Sequence, residues 1–471
     1  MTSTAIGLTA ETFHAETLLL LPEQLMLPSG PVGGHAVVVS GGRFTDIGPS
    51  AEVCARHPSV TPQKLPRALL MPGFIDAHHH LTQSFGKALA FGEPSEIFRR
   101  IWVPMEASLD EDCVLLAARL ATLESLRGGF TTVVDAGTRS IGQLDAIATA
   151  CREAGLRCVL GAICNDKGGG GEIADPEPIL TAARRHLTRF EHDDLIHPSL
   201  AISIPEVATD GMLRSISDLC AEAGAVFQTH ANEHLVAVER SLVACGRRPI
   251  QLLHHLGALG PQVLLAHATL LTSDEIVALR DTGTAIAYNP VATWWKGNAT
   301  APAELLAALG VRIGIGTDGT RSDGFRMIDA AEASQRLAFG LPSGDFSTGG
   351  GWLWFDRATA GGADASGLAA ITGRIAPGFA ADFLIVDLDV PEMLPSWDLT
   401  WELVRLANRD QIIANFVNGR LRLWRGWPVD WDARALMEQV RERAATAIAR
   451  APIQRVHPTA AEHRARTEAR S

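Results

Sequence analysis

Eight short apolar runs, separated by stretches of helical periodicity, constrain this chain more than any other feature of its sequence. In order they are ALLMPGFIDAHHH, FTTVVDAG, LRCVLGAIC, LAISIPEVA, AVFQTHANE, VLLAHAT, TAIAYNP and VRIGIGTDG. Nearly continuous apolar runs of this length suit strands buried on both faces. The segments between them include DEDCVLLAARLATLESLRGG and LDAIATACREAGL, whose apolar residues recur at helical spacing and which end at glycine. Alternation of this kind predicts parallel strands joined by crossover helices, a (β/α)8 TIM barrel. At 471 residues and 46% hydrophobic, the chain can fill that barrel and one smaller unit.

The two ends follow a different pattern. HAVVVSGG and RFTDIGP near the start, and PGFAADFLIVDLD and IIANFVNGRLRLWRG near the end, are short β-type runs, the last with a hairpin turn at Asn418-Gly419. They predict a small β-sandwich domain assembled from residues 1–68 and 377–430, with the barrel over 69–376. Residues 431–471 read as a surface helix and a loose tail. The formal net charge of −12 argues against nucleic acid and anionic membranes as partners, and no run is long enough to span a bilayer. The start of the chain lacks the basic region of a signal peptide, and the seven cysteines are scattered without CxxC spacing, so a cytoplasmic protein with reduced thiols is expected.

In a barrel the C-terminal strand ends converge on one mouth, so a polar residue closing an apolar run is informative. Run one closes in His78-His79-His80, run two in Asp135, run five in His230 with Glu233 just beyond, run six in His267 and run eight in Asp318. On an extended chain His78 and His80 point to one side and can share a metal ion; the plainer account is a solvated histidine cluster. His230 and His267, taken singly, also suit core histidines bonded to backbone carbonyls. Asp318 is harder to explain without a cation, because a carboxylate closing so apolar a strand is costly to desolvate. Glu233 could serve as a proton shuttle over a bound water or simply stabilise a helix N-terminus. Together, three imidazoles and one carboxylate leave room for a water, the open arrangement of a catalytic zinc or iron site rather than of magnesium.

The stretches PGFIDAHHHL, GGFTTVVDAG, THANE, LAHAT, TAIAYNP, GTDG, PGFAADFLIVD and FVNGRL resemble the amidohydrolase superfamily, within it the branch of cytosine deaminases, guanine deaminases and triazine hydrolases. The resemblance covers nearly the whole chain. It implies one divalent metal, zinc ahead of iron, bound by His78, His80, His230 and Asp318, with Glu233, His267 and Asp318 catalytic. LAISIPEVA offers no lysine that could be carboxylated to bridge a second ion. Where related deaminases carry HxPxSN, this chain has YNPVATWWKGN, which makes Asn289, Trp294 and Trp295 features of its own. Gln83 and Trp102, on the loop after run one, are expected to line the substrate pocket, although Trp102 also suits helix packing. Arg321 in DGTRSDG could meet an acidic substituent or be an ordinary exposed loop arginine.

The implied reaction is hydrolytic deamination at an sp2 carbon of a pyrimidine, purine, pterin or triazine. The metal would acidify water, Asp318 would accept its proton, His267 would hold it, and Glu233 would protonate the ring nitrogen. The same site could instead displace chloride, an alkylamine or a sulfide, or open a cyclic amide. A barrel that binds ligands without turnover is the remaining alternative, disfavoured by Glu233 beside a full ligand set. The expected partners are a small heterocyclic substrate, water and a second copy of the chain in a homodimer.

Overall fold

Before the barrel the chain lays down five strands: β1 Thr17–Leu27, β2 Gly30–Gly33, β3 His35–Ser40, β4 Arg43–Pro49 and β5 Pro62–Pro72. Eight parallel strands follow: β6 Phe74–His79, β7 Phe130–Asp135, β8 Arg157–Ile163, β9 Ile196–Ile202, β10 Phe227–Ala231, β11 Val263–His267, β12 Ala285–Tyr288 and β13 Arg312–Ile315. Four more return to the first sheet: β14 Phe383–Asp387, β15 Ile412–Val417, β16 Arg420–Trp424 and β17 Trp427–Pro428. This computed structural model describes residues 8–93, 96–140, 143–168, 171–344, 350–458 and 460–469. Residues 1–7 of the expected N-terminal unit lie outside the described residues.

Each of the eight apolar runs contributes one barrel strand, paired in sequence order from β6 to β13. Ile75, Val134, Val159, Leu264 and Ala285 meet inside the barrel, while outward side chains such as Leu200, Phe227, Leu265, Ile286 and Ile313 pack under the surrounding helices. Burial on both faces is why the runs are continuous rather than alternating.

The first run departs from the expected boundary. Rather than one barrel strand from residue 69, it is two strands in two sheets, with Gly73 between β5 and β6. Residues through Pro72 pair with β1 and β14 in the small sheet. A Cβ on Gly73 would stand 2.1 Å from Thr131 Cγ2 and 2.8 Å from its Cβ, so the passage between sheets requires glycine.

The small domain draws strands from both ends of the chain. Its sandwich faces are arms of one continuous mixed sheet, in the order β17-β16-β15-β14-β5-β1-β3-β4 with β2 on β1. The sheet folds back so that Phe44 of β4 meets Phe383 of β14 at 5.8 Å, and Phe383 stacks on Phe416 of β15 at 4.3 Å. Asn418 and Gly419 make the β15–β16 turn with φ of 52° and 70°, the left-handed pair that a tight hairpin needs. The domain is fastened at the N-terminal ends of barrel strands. Arg157, first in β8, donates to Asp382 at 3.0 Å, and Asn415 Nδ2 donates to Phe130 O at 3.2 Å. The opposite, C-terminal mouth stays open for chemistry.

Part of the expected loose tail, residues 453–457, is docked. After the helix Ala433–Arg450 the backbone docks on the segment that follows β6: Gln454 N donates to Arg100 O at 2.9 Å, and Val456 N and His457 N donate to Glu93 at 2.9 and 3.1 Å. Ile448 and Ile453 pack on Ala90, Ile101, Trp102 and Met105. The chain end therefore buttresses one wall of the barrel mouth. All seven cysteines are free, and no helix among the described residues is long and apolar enough to cross a membrane.

The Glu93 side chain is fully buried, and although burial alone would raise its pKa, the Val456 and His457 amides with Arg100 and Arg455 bring it down to about 2. A folded-state pKa below the unfolded one means that this contact is complete above about pH 4.5 and is lost as pH falls toward 2. The amide resonances of Val456 and His457 should shift over that window as the contact is lost. At pH 8 trypsin should cut after Arg455 slowly in the parent and fast in Glu93→Gln; cutting as slow as in the parent would show that Glu93 does not hold the segment.

Candidate active site

The mouth is organised by a carboxylate that closes the barrel between its first and last strands. Asp76, fully buried in β6, accepts from Thr317 N at 2.8 Å, from Thr317 Oγ1 at 2.5 Å and from His79 Nδ1 at 2.9 Å. Beside it Asp318 N donates to His78 O at 2.8 Å. Burial opposes protonation of His79, but the Asp76 hydrogen bond and charge outweigh it and raise the pKa. The β6–β7 pairing shifts register between Asp76 and His79. Ile75 and Ala77 lie in the barrel interior, and past this bulge His78 and His80 turn to the mouth while His79 turns to Asp76.

His78, His80, His230 and Asp318 come together with one possible ligand atom each, all within 4.8 Å of one another. Asp318 Oδ1 lies 3.4 Å from His78 Nε2 and 3.3 Å from His80 Nε2, and the Nε2 atoms of His80 and His230 are 3.3 Å apart. His230 Nδ1 donates to Ser203 O at 2.7 Å, which fixes the tautomer and leaves Nε2 as a lone pair facing the others. Burial pushes the His80 pKa down to about 4 and that of His230 well below its ordinary value, so neutral imidazoles crowd one carboxylate oxygen. Inward lone pairs at such distances, with His78 Nε2 buried and lacking a hydrogen-bond partner, fit a divalent cation with nitrogen and oxygen ligands.

Two more groups flank this cluster. Glu233, beyond β10, is 3.7 Å from His267 Nε2 and accepts from Asn298 Nδ2 at 3.0 Å. Burial would raise its pKa, but His267, Lys296 and His234 bring it below the usual carboxylate value. His267 is buried, and its pKa is lowered to about 4 by that burial. The Asn289 amide lies 3.2 Å from its Nδ1 and orients the ring, so that Nε2 points into the site without a protein partner. Asp318 gives its second oxygen, Oδ2, to the Lys296 ammonium. Burial would raise the Asp318 pKa, yet Lys296 and the histidines hold it well below the ordinary value. His267 and Asp318 have φ of 75° and 55°, and Asn232, next to the β10 end, 53°. Left-handed backbone at non-glycine residues costs energy, and here it collects at the strand ends that carry the functional groups.

The pocket over this cluster is lined by Gln83 and Trp102 together with His80, His230, Glu233, His267 and Asp318. Three expected contacts are placed elsewhere. Asn289 is buried behind His267 and orients it rather than lining the pocket. Trp294 is 40% exposed, donates to Ser334 Oγ at 2.6 Å and is not a lining residue. Arg321 pairs with Asp323 at 3.2 Å and is not a lining residue. Sequence reasoning missed Lys296, Arg139, Arg240 and Glu206, which do line the pocket. Of these only Lys296 left a trace, as the one cation within YNPVATWWKGN.

A sequence profile of the amidohydrolase family matches residues 69–422. A second profile, an imidazolonepropionase-like composite domain of bacteria, matches residues 36–59. The 5-methylthioadenosine/S-adenosylhomocysteine deaminase of Nitratidesulfovibrio vulgaris strain Miyazaki F is 29% identical over 415 residues, 86% of this chain and 91% of that protein. The enzyme of the same name, numbered 2, from Archaeoglobus fulgidus is 30% identical over 319 residues, 67% of this chain and 74% of that protein. Among solved structures, an adenosine deaminase from Xanthomonas campestris with bound zinc superposes with a TM-score of 0.83 at 24% identity, covering 92% of this chain and 98% of that one. Atrazine chlorohydrolase from Arthrobacter aurescens with zinc superposes with a TM-score of 0.79 at 19% identity, covering 92% and 100%.

If Asp76 closes the barrel, Asp76→Ala should cost about 3–5 kcal/mol by stranding His79 and the Thr317 amide in the interior. Thermal or urea unfolding monitored by circular dichroism measures it. A loss below about 1 kcal/mol would mean that the seam is held by other contacts.

Proposed function

The chain belongs to the amidohydrolase family, and on that premise we propose that it is a hydrolytic deaminase with a single divalent metal, replacing the amino group on an sp2 carbon of a nitrogen heterocycle with oxygen. The observation that carries this reading is the convergence of His78, His80, His230 and Asp318 on one point, with Glu233 and His267 beside it. The deaminases among the relatives, named for adenine nucleosides, support the same class of reaction. The donor set of three imidazoles and one carboxylate favours zinc.

A metal ion held by these four residues supplies Lewis-acid activation of water at neutral pH. The protein supplies the remaining steps. Glu233, ionised at rest, takes a proton from the attacking water and passes it to the ring nitrogen adjacent to the amino-bearing carbon, which makes that carbon more electrophilic. His267, protonated on Nε2 and held by Asn289, donates a hydrogen bond to the oxygen that attacks and keeps it aimed. Oxygen bonds to carbon, the ring π-electrons move to nitrogen, and collapse of the tetrahedral carbon expels the amine, which leaves as ammonia with the second proton. Lys296 engages Asp318 Oδ2, so Asp318 is a poor proton acceptor and its Oδ1 serves the metal. Glu233 is then the carboxylate that carries protons.

Protein purified without chelators should contain about one zinc or iron per chain by plasma mass spectrometry, as a mononuclear site of this type requires. His78→Ala should lose the metal. A metal-free, folded protein that gains no activity on metal addition would refute the hydrolase reading. Ammonia release from a panel of aminopurines, aminopyrimidines, pterins and aminotriazines tests the leaving group, with chloride release from chlorotriazines as the contrasting result. Glu233→Gln should keep its metal and lower kcat by about 100- to 10,000-fold. Unchanged kcat in that variant would remove Glu233 from the mechanism.

A further inference from the structure

Lys296 holds Asp318 Oδ2, and that one contact leaves most of its hydrogen-bonding capacity unused. It closes the helix Pro290–Lys296 after β12, and its side chain is only 6% exposed. Its ammonium donates to Asp318 Oδ2, its only hydrogen-bond partner among the described residues. An ammonium has three N–H donors, so two remain unused in a nearly buried position. Lys296 lines the pocket with Glu233 and His267, and the unused donors need acceptors that only a ligand or water in that pocket can provide.

The charge balance and the walls agree. With a divalent ion held by the four ligands, the ion and the Lys296 ammonium would face two carboxylates, Asp318 and Glu233, so the centre would be one unit more positive than with a neutral residue at 296. Also lining the pocket, Trp102 Nε1 and Arg139 Nε are buried donors, and Asn232 Oδ1 a buried acceptor, without partners. The unpartnered Glu206 Oε1 and Arg240 Nε face each other at 3.6 Å, so one offsets the other. Two spare donors, Trp102 Nε1 and Arg139 Nε, thus stand against one spare acceptor, Asn232 Oδ1, and with the two unused Lys296 donors the balance favours a ligand with more acceptors than donors.

We propose that Lys296 is a specificity-determining residue, and that the pocket takes an amino-heterocycle carrying an anionic group, a carboxylate or an ionised oxygen, beside the reacting carbon. The proposal rests on the deaminase reading for its chemistry, but its binding arm is independent of turnover. The ammonium pairs with the substrate anion while still holding Asp318, placing the amino-bearing carbon next to the metal ligands. A neutral ring leaves two ammonium donors unmet and is the poorer ligand.

The test uses matched pairs on the metal-loaded protein: cytosine and cytosine-5-carboxylate for ammonia release, uracil and uracil-5-carboxylate for binding by calorimetry. Wild-type protein should bind uracil-5-carboxylate at least tenfold more tightly than uracil. Lys296→Met should reduce that ratio at least tenfold with metal content unchanged, and Lys296→Arg should restore most of it. An unchanged ratio in Lys296→Met, or binding of neither ligand at millimolar concentration, overturns the proposal. Equal losses for both ligands with reduced metal content would assign Lys296 only to holding Asp318, and would overturn it too. If the binding ratio behaves as expected but neither cytosine releases ammonia, the deaminase reading fails while the role of Lys296 stands.

Discussion

The carboxylate of Asp76 fixes where everything else in the mouth can be. A parallel barrel must join its first strand to its last, and here β6 and β13 meet around one buried anion that accepts from Thr317 and His79. That contact holds the GTDG turn against the histidine run, so that Asp318, one residue beyond Thr317, reaches Nε2 of both His78 and His80. It also accounts for the middle histidine. His79 is the donor that a buried carboxylate needs, and turning it inward to Asp76 leaves its neighbours to turn outward to the mouth.

The fold keeps its stabilising contacts and its reactive groups at opposite ends. The small sheet grips the barrel at the strand starts through Arg157, Asp382 and Asn415, among fully packed aromatic rings. At the other end the backbone of His267 and Asp318 sits in left-handed conformations that would be costly alone. Hydrogen bonds from their surroundings hold them there: Ala268 N to Ala231 O at 3.0 Å after β11, and Asp318 N to His78 O at 2.8 Å after β13. A packed base and an over-determined rim are what allow side chains to be aimed against their local preference.

Much of this was legible in the sequence, and the parts that were not share a physical reason. Strand identity follows from apolar continuity, so each of the eight runs found its strand, and polar run-ends such as His230 and Asp318 marked the mouth. The boundary at Gly73 was hidden because ALLMPGFID is equally apolar on both sides of a change of sheet. Strict alternation placed His78 and His80 on one face but gave no sign of the bulge that takes them out of phase with Ile75 and Ala77. Tryptophans and an arginine attracted attention as conspicuous residues, whereas Trp294 and Arg321 find partners elsewhere. The wall is built by Arg139, Arg240 and Glu206, which lie on loops and helices whose mutual approach no local pattern encodes. The docking of Gln454 to His457 was missed for the same reason, since its partners Glu93 and Arg100 lie more than 350 residues earlier in the chain.

That distant docking places the C-terminal segment behind one wall of the pocket. The segment carrying Trp102 follows the histidine run and forms one side of the pocket, and on its far side the C-terminal residues fill in behind it through Ile448, Ile453 and the Glu93 cluster. Loops that build binding sites are usually among the less stable parts of a fold. A wall fixed from behind by a buried carboxylate is pre-organised, and pre-organised donors such as Trp102 Nε1 gain more from a complementary ligand than donors that must first be ordered. Lys296 reaches the same pocket from the end of the helix after β12, already anchored by Asp318. Trp102 and Lys296 thus line the same pocket, each fixed by contacts of its own, with Glu233 and His267 on the wall they share.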